Sequence, residues 1–120
     1  MVDVETIAAF ARSALFDSDR FHGKEIGLAD ELLTLDETLV KLSAVAGRKL
    51  TARYLTDDEI QVQKKTNPIV GAQLLMRGMA KFVNLDEVKS WGITTSSFEE
   101  FLKREAASIK DTYILETKSA

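Results

Sequence analysis

Two segments of this chain read as β-strands, Lys24–Ala29 and Lys49–Leu55, and one strongly capped helix separates them. A strand, a helix and a strand joined this tightly predict a parallel crossover unit. No other feature constrains the fold as much, because two parallel strands make a poor sheet alone. Such sheets are normally covered on both faces and extended by neighbours. The chain therefore reads as a helix-rich α/β lobe that belongs to a larger body. An oligomer, or a tail strand over Thr112–Leu115, would be the other source of cover.

Helix signals are stronger than strand signals. Val4, Ile7, Ala8, Ala11, Ala14 and Leu15 form one apolar stripe with Phe10 at its margin, predicting an amphipathic helix over roughly residues 4–16. Thr34 and Glu37 form a capping box before a face of Leu35, Leu39, Leu42 and Ala46, and Gly47 stops that helix. Thr56 and Glu59 repeat the box. Asn67 caps a longer helix with Pro68 at its first position, where the missing N–H costs nothing. That helix, about 68–82, carries Ile69, Val70, Leu74, Leu75, Met76, Met79 and Phe82 on more than one side, so burial between layers is expected. Asn84 and Glu87 open a short helix with Val83 and Val88 as a hydrophobic staple and Gly92 as its end. Ser96 and Glu99 open the last, striped by Phe98, Phe101, Leu102, Ala106 and Ile109.

Composition narrows the chemistry. The 120 residues carry 16 basic and 19 acidic side chains, net −3, with a mild gradient from −5 in the first half to +2 in the second. Basic pairs are dispersed among acids, which argues against direct nucleic-acid binding. With no cysteine there is no disulfide scaffold, thiolate zinc site or cysteine nucleophile. No apolar run reaches membrane-spanning length, and Met1–Glu5 lacks the basic region of a secretory signal, so no membrane association and a cytoplasmic (alternatively nuclear) setting are expected. One domain over 1–120 fits this length.

The six glycines, at 23, 27, 47, 71, 78 and 92, contain no G-x-G-x-x-G turn and no P-loop, so a dinucleotide pyrophosphate has no backbone cradle here. Neither Tyr54 nor Tyr113 has a lysine four residues on, so a tyrosine–lysine proton relay is absent. His22, the only histidine, sits in an exposed-looking turn, and Asp57-Asp58-Glu59 and Asp17/Asp19 read as solvated helix ends rather than metal ligands. The pairs Asp36/Glu37, Asp86/Glu87 and Glu99/Glu100 suit the first turns of helices. No catalytic, cofactor-binding or metal-binding residue is assigned. What retains functional weight is the helix after Asn67. Gly71 and Gly78 leave room along one side, through close helix packing or a ligand, and Gln73, Met76 and Met79 are candidate walls of a substrate pocket. Trp91 is a further candidate wall, though it reads first as a packed anchor.

Several strings, taken in order, resemble the NmrA-like family of atypical, extended short-chain dehydrogenase relatives. They are Val2-Asp3-Val4 before an Ala-rich helix, Arg20-Phe21-His22-Gly23-Lys24-Glu25-Ile26 with Leu28-Ala29, Leu33-Thr34-Leu35-Asp36-Glu37 with a later Ala-Gly-Arg-Lys turn, Thr66-Asn67-Pro68, and Trp91-Gly92-Ile93 before Phe98-Glu99-Glu100-Phe101-Leu102. The match runs over about residues 2–107 and covers the C-terminal, substrate-side portion of a family member. The glycine-rich Rossmann half is absent. Thr6-Ile7-Ala8 and Thr94-Thr95-Ser96-Ser97 also depart from the family's pattern. The resemblance implies a Rossmann-type setting without a complete sheet in this chain, with NAD or NADP bound by complete relatives and no cofactor by this chain alone. It implies either reductase activity or redox-sensing regulation of transcription, without independent turnover by this lobe. The alternative is a non-catalytic module that engages a protein partner, or further copies of itself, through exposed apolar surface. Substrate and partner identity do not follow from these residues.

Overall fold

The computed structural model of the chain describes residues 1–119, with side chains described as far as Ile114. Helices dominate, and among these residues no strand forms. In chain order they are α1 (Val4–Phe16), α2 (Ser18–Phe21), α3 (Leu35–Ala46), α4 (Asp57–Gln63), α5 (Pro68–Leu75), a 3₁₀ turn at Met79–Phe82, α6 (Leu85–Ser90), α7 (Phe98–Arg104) and α8 (Ala106–Ser119). α3 packs on α7 and α8, α7 on α8, and α1 on α2.

Helix starts follow local chemistry. Thr34 and Thr56 each accept from the amide three residues on, and Glu37 and Glu59 reach back to the cap, giving two complete capping boxes. Asn67 accepts from the Ile69 amide beside Pro68. Asn84 accepts from the amides of Asp86 and Glu87. The box of α7 lies one residue later than the sequence suggests: Ser97 and Glu100 form it. Ser96 is free for a different task, described below.

The strand expectation is corrected. Lys24–Ala29 and Lys49–Leu55 have no regular secondary structure, and they pair neither with each other nor with a third segment. The backbone amides of Glu25–Ala29 and of Thr51–Leu55 donate to nothing among the described residues. Neither segment forms a ladder, so the parallel β-α-β unit is not formed. The reason lies in the constraint already stated: a lone parallel pair gains too few hydrogen bonds and too little cover. Thr112–Leu115, the other strand candidate, is helical within α8.

The long buried helix is corrected too. α5 stops at Leu75, and Gly78, at φ 76°, turns the chain through the left-handed region before the 3₁₀ turn. A residue with a Cβ resists that conformation, so Gly78 ends the helix instead of lining its side. Only Val70 of α5 is buried, whereas Leu75 is 86% and Phe82 76% exposed. Nothing lies within 4 Å of a Cβ built at Gly71, so close helix packing does not explain that glycine.

The core is small. Phe10 of α1, Ala29 of the segment before α3, Val88 of α6 and Phe98 and Leu102 of α7 are buried, with Ala46 and Val70 beyond them. α1 also turns the opposite way from its stripe: Thr6 and Phe10 face inward while Val4, Ile7 and Leu15 are exposed. No helix of the described residues is long and apolar enough to cross a membrane.

Candidate functional site

Polar chemistry concentrates around the N-terminus of α1. Asp3, 7% exposed, caps α1 through the Glu5 amide and accepts two bonds from the Arg104 guanidinium, at 2.9 and 2.8 Å. This fork-to-fork geometry is the strong form of the ion pair. The Asp3 amide donates to Asp30 Oδ2 at 2.6 Å, the Thr6 hydroxyl donates to Asp30 Oδ1 at 2.6 Å, and the Ser96 amide donates to both Asp30 Oδ1 and Thr6 Oγ1. Arg104 holds the Asp3 carboxyl well below the usual carboxylate range, against the opposing effect of burial. The same contact raises the Arg104 guanidinium.

Every polar side-chain group in this cluster has a protein partner, and together they form a clasp. It joins α1, the segment before α3, the loop before α7 and the end of α7. Beside it lies a largely apolar hollow of about 250 Å³, lined by Met1, Val2, Val4, Phe98 and Phe101 among others. Sequence reasoning missed the clasp. Asp3 and Thr6 sit three apart, but Asp30, Ser96 and Arg104 are remote in the chain and no local spacing links them.

The four candidate pocket residues separate. Gln73 lines a cleft of about 410 Å³ with Leu35, Arg53, Tyr54, Ile60 and Val70, next to the segment between α3 and α4. Met76 and Met79 are not among the residues lining that cleft and are more than half exposed. Trp91 belongs to a different cluster. Its ring stacks on Phe21 with centroids 4.5 Å apart, the Arg20 guanidinium lies 4.8 Å over it, and Arg20 donates to the Trp91 carbonyl at 2.6 Å. Cation–π and aromatic contacts of this kind anchor α2 to the end of α6.

Most of the remaining titratable residues occupy capping and surface positions; Glu31 does not, since its Oε2 is buried without a hydrogen-bond partner among the described residues. His22 is exposed at the end of α2. Asp57 and Asp58 stand in the first turn of α4, where they suit the helix dipole. Among the described residues no three His, Asp or Glu side chains gather as a metal site would need. Lys41 and Glu99 form an exposed pair at 2.6 Å between α3 and α7, lowering the Glu99 carboxyl and raising the Lys41 ammonium. Compared with known proteins, the chain matches no family model, no curated protein and no solved structure.

What the arrangement offers most clearly is surface that could be paired. The two segments without regular structure flank α3 and carry ten backbone amides with no described acceptor. One approach within the chain is already tight: a Cβ at Gly27 would sit 2.8 Å from the Phe82 carbonyl oxygen, so the first segment runs against the 3₁₀ turn with room only for glycine.

Proposed function

We propose that this chain is the substrate-side lobe of an NmrA-like α/β protein, whose two unpaired segments, 24–29 and 49–55, dock on a parallel sheet outside these 120 residues. The carrying observation is the double row of unpaired amides, Glu25–Ala29 and Thr51–Leu55, on either side of a well-capped helix. That is the donor pattern a sheet neighbour would satisfy. The cleft beside Gln73 then faces the junction with the docked body, where the nicotinamide end of NADP or NAD would lie in a complete relative. Turnover by the lobe alone is not part of this reading, nor is cofactor binding by it.

The test supplies the missing half in trans. The separately produced Rossmann half of an NmrA-like protein is mixed with the chain, and amide hydrogen exchange is followed by mass spectrometry. Protection appearing at 25–29 and 51–55 is the expected result, and unchanged exchange there overturns the proposal. NADPH titrated calorimetrically into the chain alone should give no heat of binding; micromolar affinity would contradict the assignment.

A second reading has its own observation. Several apolar side chains of α1 and α5 stand in solvent, with Leu15 84% and Ile69 67% exposed, which suits a regulatory module that engages other proteins. Size-exclusion chromatography distinguishes the two: a stable, monodisperse complex with another protein supports the module, and an aggregating chain supports the orphaned lobe.

A further inference from the structure

The outward face of α1 has an order that the rest of the exposed apolar surface lacks. At 100° per residue, Val4, Ile7, Ala8, Ala11 and Leu15 fall within an arc about 100° wide that contains no charged residue. All five are exposed. The opposite arc holds Thr6, Ala9, Phe10 and Ser13, and it is the arc the molecule uses. The clasp fixes this rotation, because Asp3 and Thr6 must reach Arg104 and Asp30. α1 is thus an amphipathic helix anchored by its polar side with its apolar side presented.

That stripe is complementary to itself. Turned end for end against a copy, it sets Val4 opposite Leu15 and Ala8 opposite Ala11. The two alanine pairs fall at the centre, where small side chains let helix axes approach to about 8 Å. Glu5 and Arg12 are exposed along one flank of the stripe. In an antiparallel pair related by a two-fold axis, both copies present that flank on the same side. Arg12 of one copy then lies within about 3 Å along the axis of Glu5 of the other, twice over. A parallel pairing would instead put the two flanks on opposite sides of the pair, where Arg12 and Glu5 of different copies cannot meet.

We infer that α1 is a homodimerisation helix, pairing antiparallel with α1 of a second copy through Val4, Ala8, Ala11 and Leu15. The surface involved is separate from segments 24–29 and 49–55, so this proposal and docking on a sheet stand independently.

The chain has no cysteine, so single cysteines can report the register. Chains carrying Val4→Cys and Leu15→Cys are oxidised separately and as an equal mixture. The mixture should form a disulfide-linked dimer and neither variant alone should, since equivalent positions lie about 16 Å apart along an antiparallel pair. Linking in each separate sample, or none in the mixture, overturns the inference. Light scattering after size exclusion on the unmodified chain should give a dimer mass that Ala8→Glu converts to a monomer with its helical circular dichroism retained. A monomer at high micromolar concentration, or a dimer indifferent to Ala8→Glu, overturns it as well. Glu5→Arg and Arg12→Glu should each weaken association several-fold, and the double variant should restore it; loss in the double variant contradicts the register. Amides 25–29 and 51–55 should exchange as fast in this dimer as in the monomer, which keeps the result distinct from docking on a sheet.

Discussion

Adding one methyl group should separate two kinds of glycine in this chain. At Gly27 the new Cβ meets the Phe82 carbonyl oxygen at 2.8 Å, a backbone atom that cannot swing away. Gly27→Ala should therefore destabilise by about 1–3 kcal/mol, the range for overpacking. Gly71 sits within α5 with open space around it. Gly71→Ala should stabilise by about 0.5–1 kcal/mol through helix propensity and a less flexible unfolded chain. Urea unfolding of both variants checks the pair of signs. Asp3 gives a pH prediction at the same scale. Its folded carboxyl is held below its unfolded value by Arg104, so the stability it contributes is complete above about pH 4 and is lost as pH falls from there toward the folded value. Asp3→Asn should lower the thermal midpoint at neutral pH, flatten its decline under acid, and bring the two curves together at low pH.

Among the elements, what depends on three or four consecutive residues was legible in the sequence. The boxes at Thr34 and Thr56, the Asn67-Pro68 start and the stop at Gly47 all appear where local capping chemistry puts them. The α7 box moved by one residue because Ser96 and Ser97 are equally good caps locally, and Asp30 and Thr6 claim the Ser96 amide. This shift is measurable. Ser97→Ala should cost about 1 kcal/mol, the ordinary loss of a helix cap. Ser96→Ala should stay within about 0.5 kcal/mol, because the clasp uses its amide and not its hydroxyl. Strands were not legible, for a physical reason: Lys49–Leu55 has the local preference of a strand, but a ladder is a non-local fact. The stripe of α1 was readable and its direction was not. Periodicity finds an apolar face, whereas the inward face was chosen by a bond between Asp3 and Arg104, 101 residues apart. The candidate walls Gln73, Met76, Met79 and Trp91 failed to gather for a similar reason, since Gly78 ends the helix that was to align the first three.

At the scale of the whole molecule, shape carries the argument. The radius of gyration is 17.6 Å, where a compact chain of this length has about 14 Å. Its thinnest dimension is 22 Å, about two helix diameters. The accessible surface is 9159 Å², against about 6,500 Å² for a compact monomer of 13.3 kDa. A fold that leaves so much surface in water has correspondingly less to expose when it unfolds. Scaling for the unfolded chain puts the change in area about a fifth below that of a compact domain of equal length. The denaturant slope follows that area. Urea unfolding of the monomeric Ala8→Glu chain should therefore give a slope about a fifth lower than compact domains of 120 residues show. The unmodified chain, at concentrations where α1 pairs, should give a steeper slope and a midpoint that rises with protein concentration. A slope in the compact range for the monomer would mean that the exposed faces of α1 and α5 close on the molecule itself in solution, and neither the sheet nor the second copy would then be needed to cover them.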